Sequence, residues 1–272
     1  MTETALPPDG PRRTRVRLAA RTLRTDRWWV GPLFTTLGLA VFVGYATARV
    51  FQQDHYWAAE YHYLTPFYSP CLSASCAPGS AVFGTLPWAF PWFLPYALVS
   101  LPFLLLFRFT CYYYRKAYYR SIWQAPTACA VREPHARYTG ESRFPMLGQN
   151  LHRYFFYIAV LISLVNTYDA LAALAHGRDG GFGIGLGGVI LLGNVILLWC
   201  YTLSCHSCRH VIGGRLRSFG RHPVRYRLWT WVSALNSRHM LFAWITLGTL
   251  MLTDFYVLLV SSGTITDPRF FN

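Results

Sequence analysis

The sequence predicts an all-α membrane protein, a bundle of five transmembrane helices with a cytoplasmic N-terminus and an external C-terminus. Hydrophobic residues make up 53% of the 272 residues and charged residues only 13%, which is too apolar for an ordinary soluble domain. The apolar residues gather in long runs, and the basic residues gather between those runs. The runs predict the number of spans, and the basic residues predict their orientation.

Each predicted span approaches the roughly 20 residues that a helix needs to cross the hydrocarbon core. The spans cover residues 28–48, 88–107, 154–175, 182–205 and 240–260. The second contains Pro91, Pro95 and Pro102 but is apolar throughout, so we expect a span that bends.

The formal charge of +14 is distributed as a membrane topology signal, which disfavours nucleic-acid binding. Residues 1–27, 108–153 and 206–238 together hold 22 of the 25 Lys and Arg residues. The positive-inside rule then places these segments in the cytoplasm. They would contact anionic membrane lipids, and they could also steer an acidic soluble partner.

One domain accounts for residues 28–272, and residues 1–27 form a basic cytoplasmic tail. The loop after the first span is external in this topology and contains Cys71 and Cys76. A disulfide is the expected state of two nearby thiols in an oxidising compartment.

Thiol and imidazole side chains gather where the predicted spans meet the basic face. Cysteines follow two spans that run inward, and histidines open two spans that run outward. The candidate metal ligands are Cys111, Cys205, Cys208, His152, His206, His210 and His239. We expect four of them to bind a metal and the others to make hydrogen bonds around it. A Rieske-type [2Fe–2S] cluster, a structural zinc ion and a bis-histidine haem b all fit such a group, as does simple capping of helix ends.

Two carboxylates lie within predicted spans, Asp169 in the third and Asp254 in the fifth. Intramembrane carboxylates are costly, so they indicate either function or hydrogen bonding near the headgroups.

Several stretches resemble the single-chain membrane anchor of actinobacterial succinate dehydrogenases. They are PFYSPCL (66–72), FTCYYYRKAYYR (109–120), LHRYF (151–155), CHSCRHVIGGR (205–215) and SRHMLFAW (237–244). The resemblance implies a five-helix, cytochrome b-like subunit of the bacterial cytoplasmic (inner) membrane. Such a subunit carries an iron–sulfur subunit and a flavoprotein subunit and passes electrons to menaquinone. This chain itself would have no dicarboxylate active site.

The resemblance also bears on the metal. Anchors of the wider class often hold two haems b, yet the outer halves of these spans contain no histidine apart from His176 at one end. The resemblance to the mycobacterial type therefore favours a membrane-embedded, Rieske-like [2Fe–2S] centre. A haem b anchor and a structural membrane protein with a zinc site remain the alternatives.

A quinone headgroup needs a flat apolar slot with a few hydrogen-bond donors. We expect that slot beside the metal group, and the candidate residues are Tyr113, Arg115, Trp123 and Arg238.

Overall fold

The structure is a computed structural model that describes residues 26–87, 91–124, 128–129, 131, 148, 151–176 and 181–271. Its helices are α1 (Val30–Gln52), α2 (Leu101–Phe109), α3 (Tyr112–Ser121), α4 (His152–Ala175), α5 (Leu186–Leu203), α6 (His206–Gly213), α7 (Pro223–Asn236) and α8 (His239–Ser261). Two short antiparallel pairs join β1 (Trp57–Ala58) to β2 (Tyr63–Leu64) and β3 (Ile184–Gly185) to β4 (Arg269–Phe271). Residues 1–25 of the predicted tail, and most of the loop 125–150, lie outside the described residues.

Four helices are long and apolar enough to cross a membrane: α1, α4, α5 and α8. Their bounds agree with four of the five predicted spans to within a few residues. The mostly helical architecture is therefore confirmed, whereas the count of five spans and the orientation of the termini remain predictions.

The second predicted span, 88–107, differs from one continuous helix. Within the described residues it contains turns after Pro91, a 3-10 turn at Tyr96–Val99, and then α2. At 1.5 Å per residue, the nine residues of α2 reach about 14 Å, roughly half of a hydrocarbon core. Proline supplies no backbone N–H and clashes with the preceding turn, so Pro91 and Pro95 explain the interruption.

The chain divides into two compact units. The first comprises residues 1–36 and 117–138, and the second comprises residues 37–116 and 139–272. In the first unit, the rings of Tyr118 and Tyr119 contact each other edge to face, with 5.3 Å between centroids. In the second unit, α5 packs against α4 and α8, α2 packs against α4, and α6 packs against α7.

One end of the second unit is held together by buried carboxylates. Asp254 on α8 is fully buried and receives the Arg49 guanidinium, with 2.7 Å from Nε to Oδ2. The hydroxyls of Thr65 and Tyr45 donate to the same carboxylate at 2.6 and 2.5 Å. Asp254 therefore ties α1 and the loop at Thr65 to α8.

Asp169 on α4 accepts a hydrogen bond from Ser69 in the same loop. Cys71 and Cys76 follow Ser69 closely and form a disulfide, as predicted. Both intramembrane carboxylates thus have structural hydrogen-bond partners, which agrees with the second of the two interpretations given for them.

A third carboxylate, Asp267, holds the C-terminal segment. It accepts hydrogen bonds from the hydroxyls of Tyr63 and Tyr256 at 2.9 and 2.7 Å, and from the Gly187 amide at 2.8 Å. The Gly187 amide is at the first turn of α5, where unpaired N–H groups favour a negative charge.

Candidate metal centre

Four helix ends converge opposite the carboxylate end of the second unit. Cys111 follows α2 and Cys205 follows α5, whereas His152 begins α4 and His239 begins α8. The structure brings these four of the seven candidate ligands together as two thiol–imidazole pairs.

The first pair joins α4 to the residue after α5. Nε2 of His152 lies 3.1 Å from Sγ of Cys205, and Nδ1 of the same ring lies 2.7 Å from Oγ1 of Thr110. The Thr110 hydroxyl already donates its proton to the Leu106 carbonyl, so it accepts from Nδ1–H of His152. This fixes the tautomer in which Nε2 keeps its lone pair.

The second pair repeats this arrangement with the segments exchanged. Nε2 of His239 lies 3.4 Å from Sγ of Cys111, and Nδ1 lies 2.6 Å from Oγ of Ser204. The Ser204 hydroxyl donates to the Tyr201 carbonyl and therefore accepts from His239. Each imidazole thus spans from a hydroxyl on one segment to a thiol on the other.

Aromatic rings connect the two pairs. The Phe107 ring is parallel to that of His152, with centroids 4.9 Å apart, and the Tyr201 ring is parallel to that of His239 at 5.0 Å. Phe107 and Tyr201 contact each other edge to face at 5.5 Å. The imidazoles are therefore held by packing as well as by hydrogen bonds.

The thiols lie in a dry environment: Cys111 is 2% and Cys205 is 1% exposed. Burial raises the pKa of the Cys111 thiol. Burial thus favours the protonated form of these thiols, and a bound metal would have to displace their protons.

A buried cation lies beside these pairs. Nη1 of Arg108 donates to the Tyr114 hydroxyl at 2.6 Å and to the Ala243 carbonyl at 3.3 Å, and Nη2 donates to Oγ1 of Thr246 at 3.0 Å. Its Cζ lies 4.7 Å from the centroid of the Tyr201 ring.

The other three candidate ligands lie on α6, which begins at His206 after a break in the helix. Cys208 is buried, and burial raises its pKa. His206 and His210 are exposed and contact each other, with 2.8 Å between their Nε2 atoms. Desolvation, followed by the charges of His210 and Arg209, lowers the pKa of His206.

Across the residues that the structure describes, no three His, Cys, Asp or Glu side chains converge on a point that could hold a single metal ion. The donors meet in twos. A two-iron cluster needs its donors only two by two. A Rieske-type cluster would take both thiolates on one iron and both imidazoles on the other, so each thiol would have to separate from its present imidazole partner.

The predicted quinone residues are distributed unevenly. The ring of Tyr113 lies 5.2 Å from that of His239, so this residue adjoins the site. Arg238 immediately precedes His239 and is exposed. Cζ of Arg115 lies 5.0 Å from the centroid of the Tyr112 ring. Trp123 belongs to the first unit of the chain.

Sequence reasoning missed the residues that surround the pairs: Thr110, Ser204, Phe107, Tyr201 and Arg108. A signal was present, since a hydroxyl residue immediately precedes each thiol, as Thr110–Cys111 and Ser204–Cys205. Which imidazole each hydroxyl meets depends on how the helices pack.

The fold and this site define a helical membrane subunit with buried thiol–imidazole pairs at one end of its bundle. A sequence profile of the actinobacterial succinate dehydrogenase subunit SdhC matches residues 30–263. A solved structure entitled "Mycobacterium smegmatis Sdh1 complex in the apo form" contains a similar chain, with 70% identity and a TM-score of 0.89. That similarity covers 97% of this chain and 98% of the other. No curated protein matches the chain significantly.

The chain therefore belongs to the actinobacterial SdhC family, the membrane-anchor subunits of succinate dehydrogenase. It is a multi-pass membrane protein and acts as part of an enzyme complex.

Proposed function

We propose that this chain anchors the iron–sulfur and flavoprotein subunits of a succinate dehydrogenase at the bacterial cytoplasmic membrane and passes their electrons to menaquinone. Family membership supports the anchor role. The two thiol–imidazole pairs support the electron-transfer role, because a purely structural anchor has no need of two oriented imidazoles against two buried thiols.

We assign Cys111, Cys205, His152 and His239 as the residues that would hold a Rieske-type [2Fe–2S] cluster. The donor set is two thiols and two imidazoles, as such a cluster requires. The Nδ1–H donors of His152 and His239 are already engaged, so each Nε2 offers its lone pair, which is the usual condition of a metal-bound histidine. When bound, such a cluster supplies one-electron transfer at a potential raised by imidazole ligation.

The two alternatives receive less support from the packing. A haem b ligated by His152 and His239 would take up the Nε2 atom of each ring, where Sγ of Cys205 and Sγ of Cys111 now lie, and would leave the two buried thiols without a role. A structural zinc ion prefers four ligands around one point, whereas the donors here form separate pairs.

The soluble subunits would dock at the end of the bundle that carries the thiols. Helix α7 leaves Val224 71% and Trp231 74% exposed, and Arg227 on the same helix is also exposed. Large apolar side chains among arginines are typical of a protein interface. With this end in the cytoplasm, the topology is that predicted from the arginine distribution, with the N-terminus inside and the C-terminus outside.

Menaquinone would bind on the side of His239 that faces Tyr113, with Arg238 as a hydrogen-bond donor. A headgroup there lies next to the assigned ligands, so an electron crosses little low-dielectric protein. Arg115 remains a candidate for the rim of this slot.

The experiment is an EPR and visible spectrum of the purified complex, reduced by succinate. We expect a Rieske-type signal that Cys205→Ser and His152→Ala remove. The matched control is His206→Ala, an exposed histidine on the same segment, which should retain the signal. A sharp haem α-band, or a signal that survives both ligand substitutions in folded complex, would overturn the assignment.

A further inference from the structure

The Arg108 guanidinium is a buried charge with neutral partners. Arg108 is 8% exposed, and its hydrogen bonds go to a phenol, a hydroxyl and a carbonyl. Within the described part of the chain, no carboxylate pairs with it, unlike Arg49, which is 3% exposed and paired with Asp254. Arginine does not lose its proton in proteins, so the charge is permanent.

A buried guanidinium without a counter-ion is expensive in a membrane protein, and such residues are by default functional. Its three polar contacts offset part of the desolvation but cancel none of the charge. A negative charge placed close by would therefore be stabilised.

The thiol–imidazole site adjoins this positive charge. Arg108 lies three residues before Cys111, and its carbonyl accepts the Cys111 amide at 3.1 Å. The guanidinium and the His239 imidazole both contact the Tyr201 ring, at 4.7 and 5.0 Å. His239 in turn contacts Cys111. A permanent positive charge is thus built into the wall of the thiol–imidazole site.

We infer that Arg108 is the fixed counter-charge of the thiolates in this site and raises the reduction potential of the centre that they ligate. The inference rests on the proposed function. The physical reason is that adding an electron makes the centre more negative, and a nearby cation in a medium of low dielectric favours that state.

The test compares Arg108→Gln with Arg108→Lys in the whole complex, by EPR-monitored redox titration. Loss of the charge in Arg108→Gln should lower the reduced-to-oxidised ratio at a fixed potential about tenfold, which is a shift of about 59 mV for a one-electron couple. Arg108→Lys keeps the charge and should stay within about threefold of the wild-type ratio. Thr246→Val removes a hydrogen-bond partner of Arg108 but no charge, and should leave the potential unchanged.

An unshifted potential in Arg108→Gln, or an equal shift in Arg108→Lys, would overturn the inference while leaving the proposed function intact. If Arg108→Gln carries no centre, retention of a wild-type centre by Arg108→Lys supports the inference and its loss from both variants contradicts it. A wild-type complex that contains no thiolate-ligated centre overturns the inference and the proposed function together.

Discussion

His152 and His239 present the same ring nitrogen to a thiol, because each Nδ1 is bound to a hydroxyl whose own proton is already donated to a carbonyl. The two histidines start different helices, and the hydroxyls lie at the ends of two others. The same local solution is therefore used twice, with the roles of the segments exchanged. This repetition is the strongest structural argument that the pairs serve one common centre.

The two hydroxyls should therefore be needed for tight binding of the cofactor. Thr110→Val and Ser204→Ala leave the Nδ1–H of His152 or His239 without its acceptor and release the tautomer. We expect the affinity for the cofactor to fall about 10-fold to 100-fold, as it does when the hydrogen-bond partner of a metal-bound histidine is lost. Iron content and EPR intensity per complex, during titration with a chelator, measure this.

The control for these variants is Ser163→Ala, which removes a buried hydroxyl that donates to the Ala159 carbonyl within α4. It should resist the chelator as the wild type does. Equal chelator sensitivity in all three variants would attribute the effect to general loosening of the bundle.

The Arg49–Asp254 pair should dominate the stability of the opposite end. Asp254→Ala leaves the Arg49 guanidinium buried without its partner, and breaking such a pair costs about 3–5 kcal/mol. Thermal denaturation in detergent should show a large decrease in the melting temperature of Asp254→Ala. Asp54→Asn is the control, because the Asp54 side chain is 69% exposed. The double variant Arg49→Met/Asp254→Leu removes both charges and should regain much of the loss, and failure to do so would point to the Thr65 and Tyr45 hydrogen bonds instead.

Close packing of α5 against Tyr63 predicts a strong position dependence for glycine substitution. A Cβ at Gly187 would lie 2.2 Å from the Tyr63 ring, whereas a Cβ at Gly193 on the same helix would meet nothing within 4 Å. Gly187→Ala should cost about 1–3 kcal/mol by overpacking. Gly193→Ala should be neutral or stabilise by up to about 1 kcal/mol, through helix propensity. Melting temperatures of the two variants, measured side by side, decide the matter, and equal values would contradict the packing seen here.

The disulfide should be separable from the metal centre. Cys71→Ser/Cys76→Ser opens a loop of sequence separation 5, which we expect to cost about 2 kcal/mol. Because this disulfide lies in the loop that contacts Asp169 and not at the thiol–imidazole pairs, the EPR signal should persist at full intensity. A folded double variant without the signal would show that the loop with this disulfide takes part in cofactor retention.

Much of the architecture could be predicted from sequence because span length and apolar composition are local properties. Four helices follow from them directly. The interruption of the second predicted span at Pro91 and Pro95 could not be predicted. An apolar run can remain helical around proline when neighbouring groups satisfy its backbone. Whether they do is decided by packing.

The type of candidate site could be predicted from the sequence, but the exact set of residues that forms it could not. Convergence of Cys111, Cys205, His152 and His239 follows from the antiparallel course of the spans. The break between Leu203 and His206 starts a new helix, so the sequence alone did not show which side chains of residues 205–210 face the bundle. The contact between His206 and His210 follows from the i, i+4 spacing within α6.

The two thiol–imidazole pairs also form in a fixed order during synthesis. A nascent chain contains His152 and Cys205 before the ribosome reaches His239, so only one thiol–imidazole pair can close while the last span is still being synthesised. Cys111 has no imidazole partner until His239 has been added to the chain. Any ligand that requires both pairs is therefore acquired only after His239, the first residue of α8, has been synthesised, and its binding joins α2 to the last helix of the bundle.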